Sequence, residues 1–196
     1  LGSAMQVIGV AGKSGSGKSA VAERLAQRPG VAWINLDEVA WAAYAPGTPT
    51  HQQLVDAFGE TICTEDGRID RTKLASRAFQ SPEHTQKLNV IVHPAVAGEL
   101  QRQIQEHRQQ GTEVLLVEGA LLASSPHVDR SLFDAIVWLD VPQEIRRERL
   151  TTSGRVAHLR RGDTLEPEGD VQILSGVGTI EQVAERLWRW IAVRDG

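Results

Sequence analysis

Gly12-Lys13-Ser14-Gly15-Ser16-Gly17-Lys18-Ser19 fits G-x-x-x-x-G-K-[ST], a loop whose backbone wraps around phosphate groups. The residues on either side decide how the stretch is read. Gln6 to Ala11 is a short apolar run suited to a buried strand, and Ser19 to Ala26 carries a helical pattern. Strand, glycine-rich loop and helix in that order turn successive N–H groups inward, and the helix N-terminus adds positive potential at the same point. Gly12, Ser14, Gly15, Ser16 and Gly17 then form the cradle, with Lys18 reaching the β- and γ-phosphates and the Ser19 hydroxyl available to Mg²⁺. The stretch implies ATP or GTP as one ligand and says nothing of the other.

The 196 residues suffice for one domain with a substantial core, and 41% hydrophobic with 23% charged residues is ordinary for a soluble globular chain. A net charge of −4 argues against a general nucleic-acid binder, which would carry a basic stripe. The lone Cys63 excludes an internal disulfide framework and fits a reducing, cytoplasmic setting. No apolar stretch approaches a membrane span and no signal-peptide pattern precedes the first strand. Residues 1–4 read as a vector-derived remnant before Met5, so the expected domain is 5–196. A monomer or small homo-oligomer is expected.

Further along, Val31 to Leu36 predicts a second strand with Asp37 at its end, then a short helix through Tyr44. Parallel α/β sheets place chemistry at strand carboxyl ends, which raises Asp37 above an ordinary helix-start aspartate. Thr50 is expected to cap a helix to Phe58. From Asp70 to Gln110 the pattern is helical, in three pieces broken at Ser81-Pro82 and His93-Pro94. Glu113 to Val117 and Phe133 to Leu139 read as buried parallel strands, and Val171 to Leu174 as the last one. A helix from Thr179 to Val193 closes the chain, with Ile180, Val183, Leu187, Trp190 and Ile191 on its core face. The expectation is an α/β fold: a parallel-sheet P-loop kinase core (about 5–45, 112–150 and 170–196) with helices on both faces. A helical substrate-binding insertion (about 46–111) and a short lid (about 151–169) complete it.

Phosphoryl transfer needs a cradle, a metal, cations and a group that orients or deprotonates the acceptor. Two carboxylates suit the last role, Asp37 after the second strand and Glu118 in Val117-Glu118-Gly119. We assign Asp37 as base and Glu118 to the metal shell beside Ser19, although the reverse division satisfies the same chemistry. Arg68 and Arg71 supply cations in the insertion. Arg146, Arg147 and Arg149 do so on a helix leading to the lid, followed by Arg155, Arg160 and Arg161. Of these, Arg146 and Arg155 are the ones expected at the phosphates.

The series Gly67-Arg68-Ile69-Asp70-Arg71-Thr72-Lys73-Leu74, Ala78-Phe79-Gln80-Ser81 and Leu88-Asn89-Val90-Ile91-Val92-His93-Pro94 is more specific than the loop. It resembles the G-x-[LI]-D-R-x-x-L, V-F-x-[DS] and L-x-x-I-x-H-P motifs of the dephospho-CoA kinase family, and Phe58-Gly59 matches that family's F-G. The resemblance implies a kinase that uses ATP and Mg²⁺ to phosphorylate the 3′-hydroxyl of dephospho-CoA. It implies Asp37 as the base, and Arg71 and His93 in the CoA-facing region. Where the family has D-x-D, this chain has Asn35 at the first position; Trp41 stands where an arginine is common. The stretch after Glu118 lacks the family's proline and final acid, and the lid is about ten residues shorter. Its R-x-x-x-Q element and the asparagine near the last strand are missing. A uridine-kinase-like or other metabolite kinase, or a nucleotide-binding protein without transferase activity, are the alternatives these departures leave.

Overall fold

The computed structural model describes residues 4–120, 122, 127–156, 159 and 165–194. Its elements run β1 (Gln6–Ala11), α1 (Lys18–Leu25), β2 (Val31–Asn35), α2 (Leu36–Ala43), α3 (Pro49–Phe58), α4 (Arg71–Ala78), α5 (Pro82–Gln109) and β3 (Val114–Glu118). After them come β4 (Ala135–Asp140), α6 (Gln143–Thr152), β5 (Gln172–Ser175) and α7 (Ile180–Arg194). The five strands form one parallel sheet in the order β2-β3-β1-β4-β5. Parallel neighbours need crossovers, so the glycine-rich loop after the central β1 opens at the carboxyl edge of the sheet.

The chain divides into two compact units, residues 1–35 with 104–196, and residues 36–103. In the first, Ile8, Val10, Leu116, Val137 and Leu139 pack against Val21 and Leu25 of α1 and Val183, Leu187 and Ile191 of α7. The alternate residues Val7, Leu115, Val117 and Trp138 are buried too, so β1, β3 and β4 are covered on both faces and read as continuous apolar runs, while the edge strand β5 leaves Ile173 exposed. Gly9 permits the close pairing of β1 with β4, since a Cβ there would lie 3.2 Å from Ile136 Cγ1. The second unit has its own core of Tyr44, Leu54, Phe58, Ile62, Leu74 and Ala78, with Leu88, Ile91 and Val92 of α5 packed on it.

Several local expectations change. Helix α5 is continuous from Pro82 to Gln109 with Pro94 inside it. An interior proline costs about 3 kcal/mol. Apolar anchoring on both sides of Pro94 offsets this, with Leu88, Ile91 and Val92 before it and buried Leu100 and Ile104 after it. Thr48, not Thr50, caps α3, its hydroxyl accepting from the His51 N–H with Pro49 in the first turn. Strand β2 ends at Asn35, so Leu36 and Asp37 open a helix. Strand β4 starts at Ala135 because a 3₁₀ turn over Arg130–Leu132, capped by Asp129, precedes it. Ile180 is 46% exposed and leaves the core face of α7 to its neighbours.

Candidate functional site

The glycine-rich loop lies in the first unit, between β1 and α1. Gly15 has φ +80°, and a Cβ on it would sit 2.8 Å from the Arg146 carbonyl oxygen, so α6 packs directly on the loop. Ser16 is almost wholly buried, and among the described residues its Oγ has no hydrogen-bond partner. Gly17, at φ +86°, turns the chain into α1, which begins with Lys18. A buried hydroxyl without a protein acceptor, framed by a helix N-terminus, suits a loop shaped around an anion.

Ser19 Oγ donates to Glu118 Oε1 at 2.7 Å, and Asn35 Nδ2 donates to the same oxygen at 2.6 Å. Asn35 and Glu118 are register partners at the ends of β2 and β3, and Glu118 is 3% exposed. A buried carboxylate beside a P-loop hydroxyl is a hard-oxygen set suited to Mg²⁺. Among the described residues no group of three or more His, Cys, Asp or Glu is placed to hold a metal ion. Nucleotide-bound Mg²⁺ needs none, because phosphates and water supply most of its ligands.

Helix α6 braces the loop. The buried Arg146 donates through Nε to the Val141 carbonyl at 3.2 Å and through Nη1 to the Ser14 carbonyl at 3.3 Å. Arg149, one turn on, donates through Nη1 to the carbonyls of Gly15 and Ser16 at 3.2 and 3.3 Å. Its Nη2 donates to Gly176 O at 3.0 Å and Gly178 O at 3.4 Å. The sequence puts Arg149 among the helix cations, but only Arg146 and Arg155 are expected at the phosphates. Its i, i+3 spacing from Arg146 was the available signal. A cavity of about 310 Å³ lies beside the clamp, lined by Ser16, Gly17, Ala20, Arg149, Gly176 and Thr179. Lys13 Nζ is paired with Glu166 Oε1 at 3.0 Å. Arg155 is exposed just past α6 and donates to Ser153 Oγ at 3.3 Å. Arg160 and Arg161, like Leu121, Ala123 and Ser124 of the strand-end motif, lie outside the described residues.

The second unit gathers other predicted residues. Asp37 sits in the first turn of α2, and Arg71 Nη2 meets its Oδ1 at 3.4 Å. The Arg71 guanidinium carbon stands 5.6 Å from the centre of the Trp41 ring. Asp70 caps α4 by accepting from the Thr72 and Lys73 N–H groups. Burial pushes the Tyr44 phenol above its ordinary pKa; Arg71 pulls it down and Asp37 pushes it up. These groups border a cavity of about 660 Å³ lined by Trp41, Tyr44, Pro46, Arg68, Ile69 and Arg71. His93 lies half-buried within α5.

The family described as dephospho-CoA kinase matches over residues 6–161. The chain belongs to the dephospho-CoA kinase family. The family's enzymes are phosphotransferases that use ATP. The dephospho-CoA kinase of Corynebacterium jeikeium is 33% identical, the match covering 93% of this chain and 96% of that one. The relative from Carboxydothermus hydrogenoformans is also 33% identical, over 95% and 96%. Among solved structures, the TT1252 protein of Thermus thermophilus superposes with a TM-score of 0.78 at 26% identity, covering 98% of both chains. Among the described residues no helix is long and apolar enough to cross a membrane.

Proposed function

We propose that this protein transfers the γ-phosphate of ATP to the 3′-hydroxyl of dephospho-CoA, the closing step of coenzyme A formation, as a cytoplasmic monomer or small homo-oligomer. The observation that carries the reading is the family match, which spans the phosphate loop, Asp37 and the whole series from Gly67 to Pro94. The loop amides and Lys18 bind the triphosphate. The 310 Å³ cavity beside Arg149 takes the nucleobase side of ATP. Arg155 adds its positive charge at the triphosphate. Arg146 acts through the loop, whose Ser14 carbonyl it holds.

Ser19 and Glu118 would hold Mg²⁺, which when bound supplies charge neutralisation at the phosphates. Asp37 takes the proton of the 3′-hydroxyl as that oxygen bonds to phosphorus. The bond from the γ-phosphorus to the bridging oxygen breaks, and ADP departs with the electron pair. Arg71 and His93 bind the acceptor in the helical insertion, Arg71 by its charge on phosphate and His93 by hydrogen bonding.

ADP release in a coupled assay with ATP and Mg²⁺, with and without dephospho-CoA, tests the reading alongside Asp37→Ala. Turnover that requires dephospho-CoA and collapses in the variant is expected. Turnover on uridine with none on dephospho-CoA, or nucleotide binding without turnover on any acceptor, overturns it.

A further inference from the structure

Trp41 is a large side chain of the second unit that core packing does not explain. It is 54% exposed, while Val39 and Ala43 carry the buried face of α2. Exposed indole is unfavourable in water, yet this ring has a partner on its face. The Arg71 guanidinium lies 5.6 Å from the ring centre, within cation–π range.

Asp37, Trp41 and Tyr44 follow one another at i, i+4 and i+7, which puts them on one side of α2 and its C-terminal turn. Arg71, the first residue of α4, meets this row: it reaches Asp37 at 3.4 Å, and its guanidinium carbon lies over the Trp41 ring at 5.6 Å from the centre. Asp37 alone is a weak anchor for it. The contact is long, and the two side chains are 46% and 74% exposed, so water screens the pair and both keep rotamer freedom. The indole face, within cation–π range, limits that freedom and leaves guanidinium N–H groups able to donate. Trp41, Tyr44 and Arg71 are also walls of the 660 Å³ cavity.

We infer that Trp41 is a positioning residue for acceptor recognition, holding the Arg71 guanidinium beside Asp37 at the cavity wall, where it binds an anionic phosphate-ester group of the acceptor. The inference rests on the kinase reading and assigns the selectivity of the acceptor side to an aromatic–arginine pair.

The test is a double-mutant cycle, Trp41→Leu and Arg71→Ala alone and together, with Trp41→Phe as the ring-retaining variant. Trp41→Leu should raise the dephospho-CoA KM roughly two- to fivefold and leave the ATP KM unchanged. Trp41→Phe should restore most of the loss. In the Arg71→Ala background Trp41→Leu should add nothing. An unchanged acceptor KM overturns the inference. So does an equal loss in both backgrounds, which would mean that Trp41 touches the acceptor directly.

A second readout separates this from failure of the kinase reading. Tyr44 is the single tyrosine of the chain, so alkaline tyrosinate absorbance reports it alone. Trp41→Leu should shift the phenol upward more in the wild-type background than in Arg71→Ala, any change in burial being common to both. If the wild-type protein turns over no dephospho-CoA, the kinase reading fails, and this titration still decides the positioning. Background dependence upholds it, and its absence overturns it.

Discussion

Ser19 Oγ donates to Glu118 Oε1 at 2.7 Å, joining the first turn of α1 to the end of β3. Asn35 donates to the same oxygen, so the carboxylate is oriented from two strand–helix junctions at once. Groups that orient a metal-holding carboxylate typically matter about 10- to 100-fold in metal affinity. Glu118→Gln should therefore raise the Mg²⁺ concentration needed for half-maximal ADP release by about 10- to 100-fold. Asn35→Ala should move it the same way by less. A Mg²⁺ requirement unchanged in both variants would remove Glu118 from the metal shell.

Arg149 joins the phosphate loop to the Gly176–Gly178 turn through the backbone carbonyls of both. Lysine carries one donor centre and does not span these positions as the guanidinium fork does. Arg149→Lys and Arg149→Ala should both lose about 2 kcal/mol of stability, by loss of charged hydrogen bonds. In a chain of this size that is a fall of roughly 4–8 °C in Tm, read by calorimetry. The ATP KM should rise while the acceptor KM holds.

At Gly15 two penalties act together. Its φ is +80°, and a Cβ would stand 2.8 Å from the Arg146 carbonyl oxygen and 3.1 Å from its Cα. Backbone atoms of a packed helix do not move aside as a flexible side-chain end would. Gly15→Ala should destabilise by roughly 2–4 kcal/mol and weaken ATP binding, as measured by denaturant unfolding and titration calorimetry.

Tyr44 titrates above its ordinary value of 10.0 because burial disfavours the phenolate; nearby Arg71 lowers the pKa and Asp37 raises it. Asp37→Asn should therefore lower the phenol pKa, and Arg71→Ala should raise it. A folded-state value above the unfolded one contributes stability that is complete below the unfolded pKa and lost as pH rises through the folded value. Alkaline unfolding should thus set in with tyrosinate formation, and Tyr44→Phe should delay it.

Glu99 has the opposite sign. Hydrogen bonds from Arg102 first and Gln103 after it hold its carboxyl below the ordinary 4.5, against a raising contribution from burial. Both Arg102 contacts, at 3.0 and 2.7 Å, form a fork. A depressed folded pKa contributes stability that is present above the unfolded value and lost as pH falls through the folded one. Glu99→Gln should weaken the protein at neutral pH by no more than about 1 kcal/mol, and the difference should vanish in acid. Chemical denaturation at several pH values reads it.

Local chemistry was legible in the chain wherever one contiguous stretch decides the outcome. The phosphate loop needs glycines at set spacings after an apolar strand, and nothing distant is required to recognise it. The strands β1, β3 and β4 announce themselves because a parallel sheet covered on both faces selects unbroken apolar runs. Pro94 misled because its local rule, that proline ends a helix, is overridden by packing of α5 on either side of it. Arg149 was missed for a related reason. A surface arginine and a clamp look alike until the two loops it joins, 134 and 27 residues away, are brought to it.

The amino-acid order by itself determined the nucleotide loop, the α/β character and the candidate acids Asp37 and Glu118, since each follows from short-range spacing or strand ends. The tertiary structure alone decided which groups share an oxygen, a ring face or a cavity. Ser19, Glu118 and Asn35 converge because β1, β3 and β2 are neighbours in the sheet, an order that no strand's own sequence encodes. Arg71 meets Trp41 and Asp37 because α2 and α4 both border the core of the second unit, where separations of about thirty residues close to contact. Spacing along a chain sets what each residue is able to do; which of those abilities is used depends on contacts between segments far apart in that chain.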